Sequence, residues 1–153
     1  PAAREVEAPG TGTPWSQADV YASVLFHGPA FQVLKQVDSM GPQGGAALVA
    51  STQEAGWPGG PYLTDPAAVD GALQMAILMG MRAVGRTSLP TSLESLVVHD
   101  AAPTEGSYRC ALKARTVSDM RSVSDAVIRA ADGRIVCEVR GIEMHMVDTG
   151  SKD

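Results

Sequence analysis

The chain has 153 residues, 44% of them hydrophobic and 19% charged, a globular composition long enough for one domain with a real core. Its net charge of −5, with no block of Lys or Arg, makes nucleic acid and anionic membrane poor partners. The apolar run from about Leu73 to Met81 is broken by Gly80 and followed by Arg82, which reads as too short for a bilayer span, and the polar, Pro- and Ala-rich start has no signal-peptide pattern.

Residues 1–15 read as a linker, since they hold three prolines and no apolar period. A domain then runs over residues 16–148, and a polar tail over 149–153. Ser16 is placed to cap a short helix reaching about Leu25, which Gly28 and Pro29 stop. Phe31 to Ser39 and Gly45 to Thr52 alternate as a strand pair across the MGPQG turn. After the loop EAGWPGGP comes the strongest helix signal. Asp65 stands as N-cap and Pro66 as first helical residue, Val69, Leu73, Ala76, Ile77, Gly80, Met81 and Val84 recur at helical spacing, and Gly85 ends the run. Four further strands are expected: Ser92 to Val98, Ser107 to Val117, Arg121 to Ala131 and Arg134 to Val147, the last two joined by an Asp132-Gly133 hairpin. Cys110 and Cys137 fall in strand-like segments without metal-ligand spacing and read as buried free thiols of a cytoplasmic protein. Six strands around one apolar helix make an α+β fold, an antiparallel sheet wrapped around a buried helix.

Within that helix, "DPAAVDGALQ" places Asp70 and Gln74 one turn apart on one face. A carboxylate in such apolar company needs hydrogen bonds, and a Gln one turn later can hold it in one orientation or bind a substrate hydroxyl. Gly71 and Ala67 leave room for a narrow substrate. The plainer alternative is an Asp that complements the helix dipole and a Gln at a solvent edge.

Three segments together resemble the C-terminal half of a polyketide synthase dehydratase domain, one half of a double hotdog, over roughly residues 16–147. "LFHGPAF" is similar to the family's GYxYGPxF motif, with Gly28, Pro29 and Phe31 matching and His27 at the second tyrosine. Asp70 and Gln74 match DxxxQ/H in full, with Asp65 where the family has His before the proline. "LPTSL" keeps Leu89 and Pro90 of LPFxW and replaces its aromatic residues with Thr91 and Leu93. The FHGPAFQ stretch also resembles the dehydratase regions of iterative synthases of the enediyne and polyunsaturated-fatty-acid types.

The resemblance implies dehydration of a β-hydroxyacyl chain carried on the phosphopantetheine arm of acyl carrier protein, with no other cofactor. In that chemistry a His takes the α-proton and Asp70 protonates the departing hydroxyl, assisted by Gln74. His27, Gly28, Pro29, Phe31, Leu89 and Pro90 become candidate substrate-binding residues. The family's base lies in HxxxGxxxxP, and none of His27, His99 or His145 has that setting. The base is therefore expected from an N-terminal hotdog half, and a homodimer is a further expected partner. His27 remains a candidate substitute base, while His99 and His145 read as structural residues on strands. Trp57 and Tyr62 fit either a tunnel mouth or packing beneath their loop. No zinc-ligand spacing, P-loop lysine or GxSxG elbow is present. A chain-shaping, product-template-like cyclisation domain and a catalytically silent hotdog used for carrier docking or dimerisation are the alternative functions.

Overall fold

A computed structural model describes residues 3–60, 62–100 and 106–148. The elements in chain order are β1 (Thr13–Trp15), α1 (Gln17–Ser23), a 3-10 turn (Pro29–Phe31), β2 (Leu34–Gly41), β3 (Gly44–Ala50), α2 (Pro66–Val84), β4 (Ser88–Ser92), β5 (Ser95–Val98), β6 (Ser107–Val117), β7 (Arg121–Arg129) and β8 (Ile135–Met146). Helix α2 begins and ends where its sequence signals lie. The Asp65 carboxylate accepts from Ala68 N, Pro66 opens the first turn, and Gly85 takes the left-handed conformation (φ 70°) that closes the helix.

Every residue from Gln74 to Gly80 is buried, so the middle of α2 is enclosed on all sides. The enclosure is a single antiparallel sheet in the order β1-β2-β3-β6-β7-β8-β4, with β5 also paired to β8. Strands β2, β3, β4, β6, β7 and β8 all contact α2. This is the hotdog arrangement of an α+β fold, a sheet around one long helix. By length and composition the 19-residue α2 could cross a membrane, a correction to the short span read from Leu73–Met81; its burial within the sheet makes it the core helix.

Small residues let α2 lie close to the sheet. A Cβ on Gly71 would meet Val49 Cγ1 at 2.4 Å, and Val49 is itself fully buried. Gly71 therefore serves the contact with β3, and Ala67 is likewise buried in the core, so neither opens a path for substrate. Gly71→Ala should lower stability by about 1–2 kcal/mol, because overpacking against a stiff β-branched side chain outweighs the helix-propensity gain. Denaturant titration checks this, and a stabilised variant would show that Val49 can yield.

Several boundaries differ from the sequence expectation. Thr13–Trp15, expected within the linker, pairs with β2 across a register shift, and the Arg82 guanidinium of α2 sits 3.8 Å from the Trp15 ring centroid. Three residues are too few to show a period of two. The single strand expected over Ser92 to Val98 is two, β4 and β5, which both pair with β8 and are broken at Leu93 and Glu94. Here Gly141 adopts φ 62°, and Glu94 N donates to the carbonyls of both Arg140 and Gly141. Phe31 belongs to the 3-10 turn rather than to a strand. Strand β3 stops at Ala50, before Thr52 turns its N–H to the Asp65 carboxylate. Ser16 caps α1 as expected, accepting from Asp19 N at 3.1 Å. Both cysteines are buried free thiols, and burial raises each thiol pKa, that of Cys110 to about 12. The tail 149–153 lies outside the described residues.

Candidate active site

Asp70 and Gln74 belong to one hydrogen-bonded chain. Gln74 Nε2 donates to Asp70 Oδ2 at 2.7 Å and to the Phe31 carbonyl at 2.8 Å. Its Oε1 accepts from the Tyr21 hydroxyl at 2.6 Å, and that hydroxyl accepts from Leu34 N at 2.9 Å. The direction of the chain is fixed by backbone at two points. Leu34 N–H can only donate, so the Tyr21 hydrogen is free to point at Gln74; the Phe31 carbonyl can only accept, so the amide nitrogen must face it. The second N–H of Gln74 is then left for Asp70. Gln74 is only 1% exposed, so it is no solvent-edge residue.

Asp70 itself is half-buried. Among the described residues Gln74 is the one side-chain donor that reaches it, and it reaches Oδ2 only. Oδ1 is left to meet whatever approaches the face of α2. Nor does Asp70 cap the helix, since Asp65 has that role and Asp70 lies in the second turn. Asp70 thus lies beyond the first turn, where the helix dipole acts most strongly, and Gln74 lies away from the solvent edge.

Nothing in the local sequence pattern marks Tyr21 as a site residue. Its only local signal is an aromatic residue on the inward side of α1, next to buried Val20, and its two partners lie far along the chain. Burial pushes its phenol up to about 12, a neighbouring Asp70 charge acting in the same sense, so it stays a protonated donor at neutral pH. Tyr21→Phe should destabilise the fold by about 1–3 kcal/mol, since it strips Leu34 N and Gln74 Oε1 of a partner at once. An unchanged denaturation midpoint would show the hydroxyl bonds contribute nothing.

The "LFHGPAF" segment supplies the carbonyl that anchors Gln74. Gly28 precedes the 3-10 turn, Phe31 N returns to Gly28 O at 2.9 Å, and the Phe31 carbonyl then faces α2. Gly28 and Pro29 are exposed, and Phe31 is half-exposed with its ring edge-on to Trp57 at 5.6 Å. Trp57 Nε1 donates to the Ala30 carbonyl at 2.5 Å, tying its loop to this turn. Tyr62, by contrast, bonds within its own loop, to the Pro58 carbonyl.

His27 packs edge-on to Tyr21, ring centroids 6.3 Å apart, and lines a 230 Å³ cavity together with Leu89 of β4. The structure thus brings His27 and Leu89 together, while Pro90 lies exposed on the edge strand, where a missing N–H is tolerated. Asp70 lines neither this cavity nor the larger ones of 510 and 350 Å³ beside Arg115 and Trp57. His99 is bound to buried Glu138, which also accepts from Arg140 and from Arg4 N. His145 lies exposed on β8, 3.5 Å from Glu143. The three histidines are not gathered, and among the described residues no group of three His, Cys, Asp or Glu could hold a metal ion.

A family profile described as polyketide synthase dehydratase N-terminal domain matches residues 1–153. No curated protein sequence matches the chain. Among solved structures, the chain is similar to a dehydratase domain of a trans-AT polyketide synthase from Brevibacillus brevis, at 18% identity and a TM-score of 0.68, over 89% of this chain and 49% of that one. It is similar to the dehydratase domain of a mycocerosic acid synthase-like synthase, at 16% identity and a TM-score of 0.72, over 97% and 58% of the two chains. The dehydratase domain of PpsC from Mycobacterium tuberculosis, solved in complex with C12:1-CoA, matches at 21% identity and a TM-score of 0.66, over 94% and 56%. The chain thus spans about half the length of the dehydratase structures it resembles.

Proposed function

The chain belongs to the polyketide synthase dehydratase family. Although the matching profile is described as that family's N-terminal domain, we propose that the chain is the C-terminal hotdog half of a dehydratase, with Asp70 as general acid, because it carries the Asp70–Gln74 pair and no HxxxGxxxxP base. The observation that carries this is the fixed chain Leu34–Tyr21–Gln74–Asp70, which spends Oδ2 on an amide N–H and leaves Oδ1 for the proton. In the reaction a base takes the α-proton of a β-hydroxyacyl thioester, the C=C bond forms, and the β-C–O bond breaks. Asp70 Oδ1 delivers the proton that lets the hydroxyl depart as water. Gln74 orients the carboxyl and, through Tyr21 and Phe31, ties it to two backbone positions.

The base comes from a second half carrying HxxxGxxxxP, because His99 and His145 lie elsewhere and His27 faces its own cavity. A half-buried acid that lines none of the cavities described above needs a second surface to close over it, which is the role of that half. The substrate arrives on acyl carrier protein, and the parent is a multidomain synthase of the cytoplasm. The FHGPAFQ stretch supports an iterative synthase of the enediyne or polyunsaturated-fatty-acid type.

The test compares the isolated chain with the same chain joined to its N-terminal half, using a β-hydroxyacyl thioester and following the enoyl product. The joined domain should turn over and the isolated chain should not. Brisk turnover by the isolated chain would overturn the two-half reading and make His27 the base to test first.

A further inference from the structure

Two polar atoms of the 230 Å³ cavity have no hydrogen-bond partner in the protein. His27 Nδ1 and Ser88 Oγ are both shielded from solvent, yet neither is bonded, and both residues line this cavity. Ser88 is 1% exposed, on the first residue of β4, where it pairs with Met146. Apart from Thr87 the remaining lining is apolar, with Val24, Leu25 and Ile77 inside and exposed Phe26 and Leu89 at the rim. Ser122 and Ser124 also bury unpaired hydroxyls, but neither lines a cavity described above; His27 Nδ1 and Ser88 Oγ share one, and two groups so placed point to a ligand that brings the missing partner.

The cavity lies further along the face of α2 that carries the acid, although Asp70 does not itself line it. Ile77 lies seven residues after Asp70, on the same face of α2 and about 10 Å further along its axis. The ring of His27 touches Tyr21, which holds Gln74. An acyl chain with its β-carbon at Asp70, held between this chain and the second half, would reach the exposed rim of the cavity at Phe26 and Leu89 several carbons later. The cavity's volume is that of about eight waters, enough for a short chain segment.

We propose that this cavity is a subsite for the distal acyl chain that selects an oxygenated carbon, a hydroxyl or keto group several positions beyond the β-carbon, through His27 Nδ1 and Ser88 Oγ. The inference rests on the dehydratase reading and names its substrate class: a chain with a second oxygen, rather than a fully reduced one. A keto oxygen accepts from the serine hydroxyl and from the Nδ1–H tautomer. A hydroxyl donates to one of the pair and accepts from the other. A fully reduced chain would enter the same space and leave both groups unpaired, which is the source of discrimination.

The experiment uses the complete dehydratase domain and β-hydroxyacyl pantetheine thioesters of equal length, either fully reduced or with one keto group placed in turn at each carbon beyond the δ position. The wild-type domain should favour one keto position by about tenfold or more in kcat/KM over the reduced chain. His27→Phe and Ser88→Ala should each bring that ratio towards one; because a ratio is read, a general loss of activity cancels. Melting curves confirm that each variant is folded. No preference at any position in an active wild-type domain would overturn the proposal, as would a ratio unchanged in both variants. Should the domain dehydrate neither substrate, the dehydratase reading fails, and calorimetric binding of the corresponding non-reactive acyl pantetheine amides gives the same ratio without turnover. Equal affinity for keto and reduced amides then overturns the subsite as well.

Discussion

In the complete domain, Asp70→Asn is expected to lower kcat by about 10²- to 10⁴-fold with little change in melting temperature. The substitution is nearly isosteric, and the new amide oxygen can still accept from Gln74 Nε2 where Asp70 Oδ2 does at 2.7 Å. What it removes is the proton at the other position, for which an amide has no substitute. Gln74→Ala should behave in the opposite sense. It keeps the acid but releases Asp70 and leaves the Tyr21 hydroxyl and the Phe31 carbonyl without their partner, so stability should fall by about 1–3 kcal/mol and kcat by less than for Asp70→Asn. Single-turnover rates and melting curves on the two variants separate proton donor from orienting group. Near-wild-type turnover in Asp70→Asn would end the catalytic assignment.

Much of this site was legible because its central pair is local. Asp70 and Gln74 are one turn apart in a helix whose caps are written in the sequence, so their adjacency follows from helix geometry alone. What fixes Gln74 is not local. Tyr21 and the Phe31 carbonyl stand 53 and 43 residues away from it, and only the folded sheet brings them to it. The same division holds for the fold. The Asp132-Gly133 hairpin and the long strands β6, β7 and β8 carry enough alternation and turn chemistry to be read directly. Strand β1 and the break between β4 and β5 do not, because each depends on what a distant partner presents. Gly71 shows the risk of reading small residues by function: its smallness serves Val49.

Asp65 is where the sequence departs from the family's His before the proline, and the second large effect is expected there. The side chain is 1% exposed and accepts from three buried donors: Ala68 N at 3.1 Å, Thr52 N at 2.9 Å and Thr52 Oγ1 at 2.8 Å. It thereby caps α2 and pins the end of β3 to the start of the helix, one turn before Asp70. Asp65→Ala strands all three donors inside the protein. At about 1–3 kcal/mol for each unsatisfied group, less what relaxation and entering water recover, the net loss should be about 3–5 kcal/mol. That is a large part of the roughly 5–15 kcal/mol that holds a domain together. Asp65→Asn retains one acceptor oxygen and should lose distinctly less. Urea titrations of the complete domain would show this as a fall in midpoint at unchanged slope, with Asp65→Asn between wild type and Asp65→Ala. A loss below about 1 kcal/mol for Asp65→Ala would mean that desolvating the carboxylate cancels what its three bonds contribute, as in buried ion pairs that hydrophobic residues can replace. The cap would then fix where α2 starts, and so where Asp70 points, without adding to stability.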